Sequence, residues 1–242
     1  MSEHRKSLYL LADSQLLFWN IAENRFIESI RENLDTKKAS ITKAAYIGAA
    51  NGDKPEFFEL FKAAMDNIDL HESRMITSQY SKEEQEFLES ADLILLAGGD
   101  IKVASEILEK TGMAKTVIEK YYSGAVLIGI SAGAIQLGLG IANCDGTLIE
   151  GLKLLPYFVE VSEKESNWNS LKKLLASSGQ YNKGFGLSAG GGMIYHSDMT
   201  IEPLRNSIVE CRSQSDDGVE LGHNVLLPPQ SLENNKLLSK AD

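Results

Sequence analysis

Apolar runs of four to eight residues alternate along this chain with longer stretches of helical period, the pattern of a parallel sheet covered by helices on both faces. Residues 7–12 (SLYLLA), 44–48 (AAYIG), 92–97 (DLILLA) and 125–130 (AVLIGI) read as buried strands. Between them the spacing predicts helices over 20–33, 56–65, 102–110 and 116–122, the first carrying Ile21, Phe26, Ile27 and Ile30 on one stripe. The run 125–130 passes directly into 131–138 (SAGAIQLG), which is compatible with a helix. Downstream, 140–151 reads as a turn-rich connection, 153–161 as extended chain, and 166–176 as a helix with Leu171, Leu174 and Leu175 inward. Residues 184–195 read as two strand edges around a glycine turn, with late strands at 200–201 and 219–221. The expected fold class is α/β: a doubly wound, mostly parallel sheet with helices on both faces, forming one domain over 1–228 and leaving 229–242 as a polar tail.

Composition narrows the function. Hydrophobic residues at 43% and charged residues at 24% describe an ordinary globular chain. A formal charge of -10, without a Lys/Arg cluster, disfavours nucleic acid, whose binding requires cations that displace counterions. No stretch approaches the roughly 18 apolar residues of a membrane span. The first apolar run is broken by Asp13 and lacks a cleavage site, so it reads as a strand and not a leader. Cys144 and Cys211 carry no CxxC spacing, which argues against metal binding and suits a reducing compartment. A cytoplasmic location and no cofactor are expected.

The chemistry gathers at Gly129-Ile130-Ser131-Ala132-Gly133. A nucleophile elbow needs a strand that ends abruptly, a serine in a strained conformation at the tip, and small neighbours that let the next helix pack closely. This stretch has all three, and the helix that follows aims free N–H groups and its positive end at the serine. Ser131 is the candidate nucleophile and the Ala132 amide a candidate oxyanion donor. Gly98-Gly99-Asp100 follows the buried strand at 92–97, so it is expected at the same carboxyl edge, where ligands of open α/β sheets bind. It offers the Gly99 amide as a second oxyanion donor, with Gly98 and Asp100 as pocket residues. Read without that context, either glycine site is a tight turn.

The blocks LLAGGD (95–100), GAVLIGISAGA (124–134) and GLKLLPYF (151–158) occur in the order seen in dipeptidase E and cyanophycinase-type peptidases, the S51 family, which residues 7–200 resemble. YIGAANGD (46–53) is similar to that family's second strand and loop. The resemblance implies a fold of the class I glutamine amidotransferase type and a metal-free serine-nucleophile cleavage of small, often aspartate-containing peptides. Expected partners are then small peptides or peptide-like substrates, without nucleic acid or membrane, and with a homodimer allowed.

The chain departs from that pattern where a base is needed. A serine hydroxyl is a poor nucleophile near neutral pH unless a base takes its proton. The position that best matches the family's histidine is Ser162, which joins the expected pocket. Asp145 matches an aspartate that one branch carries after the elbow, and a glutamate of other members falls on Ala189. Among the histidines, His4, His71 and His223 read as solvated. His196 is the candidate for a relocated base, beside the reading of an ordinary surface histidine. Lys164, flanked by Glu163 and Glu165, is a weaker choice for a Ser-Lys dyad, and the acidic run with Glu160 reads as a solvated face. Two functions follow: a serine peptidase-like hydrolase built on Ser131, or a catalytically impaired relative that binds a small peptide or acidic ligand.

Overall fold

The computed structural model describes residues 5–21, 24–34, 42–70, 72–143, 146–162, 168–178, 183–213 and 222–229. In chain order the strands are β1 (Leu8–Leu11), β2 (Asn20–Ile21), β3 (Asn24–Arg25), β4 (Lys43–Ile47), β5 (Glu72–Ile76), β6 (Leu93–Leu96), β7 (Val126–Ile130), β8 (Gly140–Ala142), β9 (Leu148–Glu150), β10 (Phe158–Ser162), β11 (Lys183–Ser188), β12 (Gly192–Tyr195), β13 (Ile201–Leu204), β14 (Ile208–Arg212) and β15 (Gly222–Leu226). The helices are α1 (Phe26–Glu32), α2 (Pro55–Asp66), α3 (Lys82–Ser90), α4 (Ile101–Thr111), α5 (Met113–Tyr122), α6 (Ala132–Leu137) and α7 (Asn169–Ser178).

The main sheet runs β13-β12-β1-β7-β6-β4-β5. Its five strands from β1 to β5 are parallel, and β12 and β13 extend it antiparallel beyond β1. Successive strand residues face opposite sides, so Leu8, Leu10, Ile94, Leu96 and Leu127 enter one core layer and Tyr9, Leu11, Leu93, Leu95 and Ile128 the other. Leu88, Leu108, Val117 and Leu137 from α3 to α6 close the first layer; Ile27, Ile30, Phe61 and Met65 from α1 and α2 close the second. Burial on both faces explains why these strands read as unbroken apolar runs, and the doubly wound α/β class is the one observed. Among the described residues, no helix is long and apolar enough to cross a membrane.

A smaller sheet, β10-β11-β14-β15, carries α7. Leu171, Leu174 and Leu175 pack with Phe158, Trp168 and Cys211 in a separate cluster, as the helical spacing predicts. The Cys211 thiol is buried, and desolvation raises its pKa.

Several local readings change. The helix expected over 20–33 is confined to α1, because residues 20–21 and 24–25 pair as strands; before them Asp13 accepts from the Gln15 amide (2.9 Å) and opens a 3-10 turn at Ser14–Phe18. The chain then folds back as the β2–β3 ribbon, and the Phe26 amide donates to the Trp19 carbonyl before the helix begins. The connection at 140–151 contains the β8–β9 ribbon. The two strands of 184–195 belong to different sheets. Glu160 is not on a solvated face: half-buried, its carboxylate accepts from the Leu171 amide (2.7 Å) in the first turn of α7. Desolvation raises its pKa despite that hydrogen bond. Residues 219–221, Glu163, Lys164 and Glu165 lie outside the described residues.

Candidate active site

The register brings the carboxyl ends of four parallel strands together. Leu11 pairs with Ile130, Gly129 with Leu96, and Leu96 with Ile47. The residues that follow, Ala12-Asp13, Ala49 to Asn51, Ala97 to Gly99 and Ser131, therefore share one sheet edge. All of these except Ala49 line a cavity of about 700 Å³, within the usual range for small-molecule sites.

Ser131 lies in its lining with φ 50° and ψ -110°. A non-glycine residue there stores on the order of 1–3 kcal/mol of backbone strain. The conformation is held from both sides: the Ser131 amide donates to the Leu11 carbonyl (2.8 Å), and its carbonyl accepts from the Ile135 amide (3.1 Å). Helix α6 starts at Ala132 without a side-chain cap, so the serine hydroxyl is not used to close the helix. Gly133 lets that helix lie against β6, since a Cβ there would fall 2.1 Å from the Leu96 carbonyl oxygen. This is the close approach the elbow reading requires.

Gly98 and Gly99 line the same cavity. Gly99 has φ +139°, and a Cβ would fall 2.1 Å from the Ala50 carbonyl oxygen, which accepts from the Asp100 amide at 2.7 Å. Only glycine fits that crossing. Among the described residues the Gly99 and Ala132 amides have no hydrogen-bond acceptor. Asp100 needs correction as a pocket residue. It is the N-cap of α4, accepting from the Lys102 and Val103 amides at 2.9 and 3.1 Å, and it is absent from the cavity lining.

His196 is also corrected. Its neighbour Tyr195 pairs with Leu8, at the opposite end of β1 from Ala12. At about 3.3 Å per strand residue, the length of the sheet, about 15 Å, separates it from Ser131. There its Nδ1 lies 3.4 Å from the Ser7 Oγ and its Nε2 3.0 Å from Glu202. Asp145 lies outside the described residues, as do His4 and His71. Ser162 ends β10 opposite Ser188, next to Val161, which lines the cavity together with Ala189. Position 189 and the neighbour of position 162 thus border the cavity.

Other lining residues were not evident from sequence. Asp13 accepts from the Gly190 amide (2.6 Å) as well as from Gln15, tying the end of β1 to the turn after β11. Asn51 donates to the Tyr46 hydroxyl (2.7 Å), whose pKa burial raises. Lys54, Leu17, Phe57, Leu60 and Phe61 complete one wall. Their signal was positional: they lie in or beside the segments that follow β1 and β4.

No curated protein sequence matches the chain. In three dimensions it is similar to a peptidase from an acI-B1 Actinobacterium, with a TM-score of 0.66 and 18% identity over 93% of this chain and 96% of the other. It is also similar to a peptidase E candidate from Listeria monocytogenes EGD-e, with a TM-score of 0.59 and 16% identity over 83% and 98%. At these identities the likeness concerns the fold. Residues 20–202 match the model of peptidase family S51, which spans both the elbow and the glycine pair, and the chain belongs to that family.

Proposed function

We propose that the protein is a serine hydrolase of small peptides or peptide-like amides, with Ser131 as its nucleophile. The observation that carries this reading is the strained, uncapped Ser131 in the lining of a cavity beside Gly98 and Gly99. In this mechanism the Ser131 Oγ bonds to the substrate carbonyl carbon and its proton passes to water in the cavity. The Gly99 and Ala132 amides stabilise the oxyanion. The amine then leaves with a proton, and a water molecule cleaves the acyl-serine, restoring the hydroxyl. Among the described residues no imidazole lines the cavity. Turnover is therefore expected to be slow, because without a base the hydroxyl is a poor nucleophile near neutral pH.

That same lack of a neighbouring imidazole favours a second reading, a peptide-binding protein that retains the pocket without turnover. The two separate in one experiment. A dipeptide panel is assayed for hydrolysis and for thermal stabilisation, with wild type and Ser131→Ala in parallel. Hydrolysis that disappears in Ser131→Ala supports the hydrolase. Stabilisation equal in both proteins, with no hydrolysis in either, supports binding alone. A ligand at a hundred times its Kd stabilises the fold by about 2.7 kcal/mol, enough to read as a shift in Tm.

A further inference from the structure

Part of the lining that the cavity shares with Ser131 suits an apolar group. Helix α2 places Phe57, Leu60 and Phe61 on one face by their i, i+3, i+4 spacing. Phe61 is buried in the core, but Phe57 and Leu60 stay 43% and 45% exposed while lining the cavity. The apolar face of the helix thus runs out of the core and over the cavity, where Leu17 and Tyr46 continue it. Two large apolar side chains left in water inside a concavity gain by covering one of a ligand.

The charges are just as uneven. Of the two charged residues in the lining, Asp13 already accepts from two amides. Lys54, just before the first turn of α2 and next to the apolar wall, has no ion pair with any described residue and is exposed. It is the only cation among the described residues lining the cavity.

Building on the peptidase-like reading of this site, we propose that it selects a small peptide with a bulky aliphatic or aromatic side chain, held against Leu17, Phe57 and Leu60. The terminal carboxylate of that peptide pairs with Lys54, and its scissile carbonyl rests over Ser131. An acidic side chain is disfavoured on the apolar wall, where it would lose its hydration without a partner.

The test uses the full-length Ser131→Ala protein, so that binding is measured without turnover, titrated calorimetrically with Leu-Leu, Ala-Ala, Asp-Leu and Leu-Leu amide. Leu-Leu is expected to bind about tenfold or more tighter than Ala-Ala and Asp-Leu. Amidation is expected to weaken it about tenfold, as loss of a charged hydrogen-bonding partner does. Adding Lys54→Gln should abolish the difference between acid and amide, and Lys54→Arg should retain it. Adding Phe57→Ser with Leu60→Ser should bring the Leu-Leu to Ala-Ala ratio close to one. These side chains are exposed, and an unchanged Tm without ligand verifies that each variant folds. Asp-Leu binding as tightly as Leu-Leu, equal binding of Leu-Leu and Ala-Ala, or no binding of any probe overturns the inference. A parallel hydrolysis assay with Ser131 intact separates the two levels. Selective binding without hydrolysis removes the hydrolase reading and leaves this one, whereas hydrolysis without side-chain preference does the reverse.

Discussion

The two edges of the main sheet each hold a serine near polar groups, and only one of them has the architecture of a reaction site. At the amino edge, Ser7, His196 and Glu202 form a chain of contacts at 3.4 and 3.0 Å that looks like a Ser-His-Glu arrangement. Yet Ser7 is buried just before β1, and neither it nor His196 lines the cavity. At the carboxyl edge, Ser131 lacks an imidazole neighbour among the described residues, but it has the strain, the glycine approach and the space. Hydrogen-bonded identity alone does not make a nucleophile. Backbone geometry that exposes a hydroxyl to a cavity is the scarcer element, and here it is found apart from the histidine.

The largest effect expected from this contrast is on activity. Ser131→Ala should remove hydrolysis of any dipeptide the protein cleaves, while Ser7→Ala and His196→Ala should leave the rate within twofold, measured by product release at matched protein concentration. A loss of activity in His196→Ala comparable to that of Ser131→Ala would erase the distinction between the edges. Next in size is Gly133→Ala, which sets a methyl against the Leu96 carbonyl where only backbone can yield. It should cost about 3 kcal/mol in chemical denaturation, because the elbow and the sheet are built on the same contact.

Smaller effects concern charge. Glu210 is buried in β14 and accepts from Arg212 (3.0 Å), Lys183 (3.0 Å) and Asn224 (3.1 Å). Burial raises its pKa, but these hydrogen bonds prevail and hold it below the usual carboxylate range. A folded pKa below the unfolded value of about 4.3 means that the contribution is complete above that pH and lost as the pH falls through the folded value. Glu210→Gln should therefore cost about 1–2 kcal/mol at neutral pH. The gap from wild type should narrow in acid, as followed by denaturation at pH 7 and pH 3. The smallest effect belongs to the amino edge. His196→Gln should cost less than about 1 kcal/mol, because the pair with Glu202 is partly exposed on both sides and screened.

What could be read from the chain in advance follows from the same physics. Strands β1, β4, β6 and β7, buried on both faces, announce themselves as apolar runs, and the glycines at 98–99 and around Ser131 mark where the backbone must pass closely. Strand β5 is an edge strand with a partly polar face, and α3 (KEEQEFLES) buries only Phe87 and Leu88, so neither carries a strong periodic signal. Helix α3 did offer a local cue, the capping box of Ser81 and Glu84. Ribbons of two or three residues, such as β8–β9, are too short for any period to register. The position of His196 was the least legible feature, because it depends on the pairing of β12 with β1, a contact between residues as distant in sequence as Leu8 and Tyr195. Phe57 and Leu60 read as parts of the helix at 56–65, with Lys54 just before it, and only the assembled sheet edge brings them to the cavity.

The central claim is that the strained serine is a nucleophile open to an acyl ligand. Its most direct measurement is intact-mass and peptide-mapping mass spectrometry after exposure to a fluorophosphonate. The account predicts a single adduct on Ser131 that is lost in Ser131→Ala and retained in His196→Ala. An unmodified Ser131 at saturating reagent, or an adduct at Ser7 instead, would contradict it.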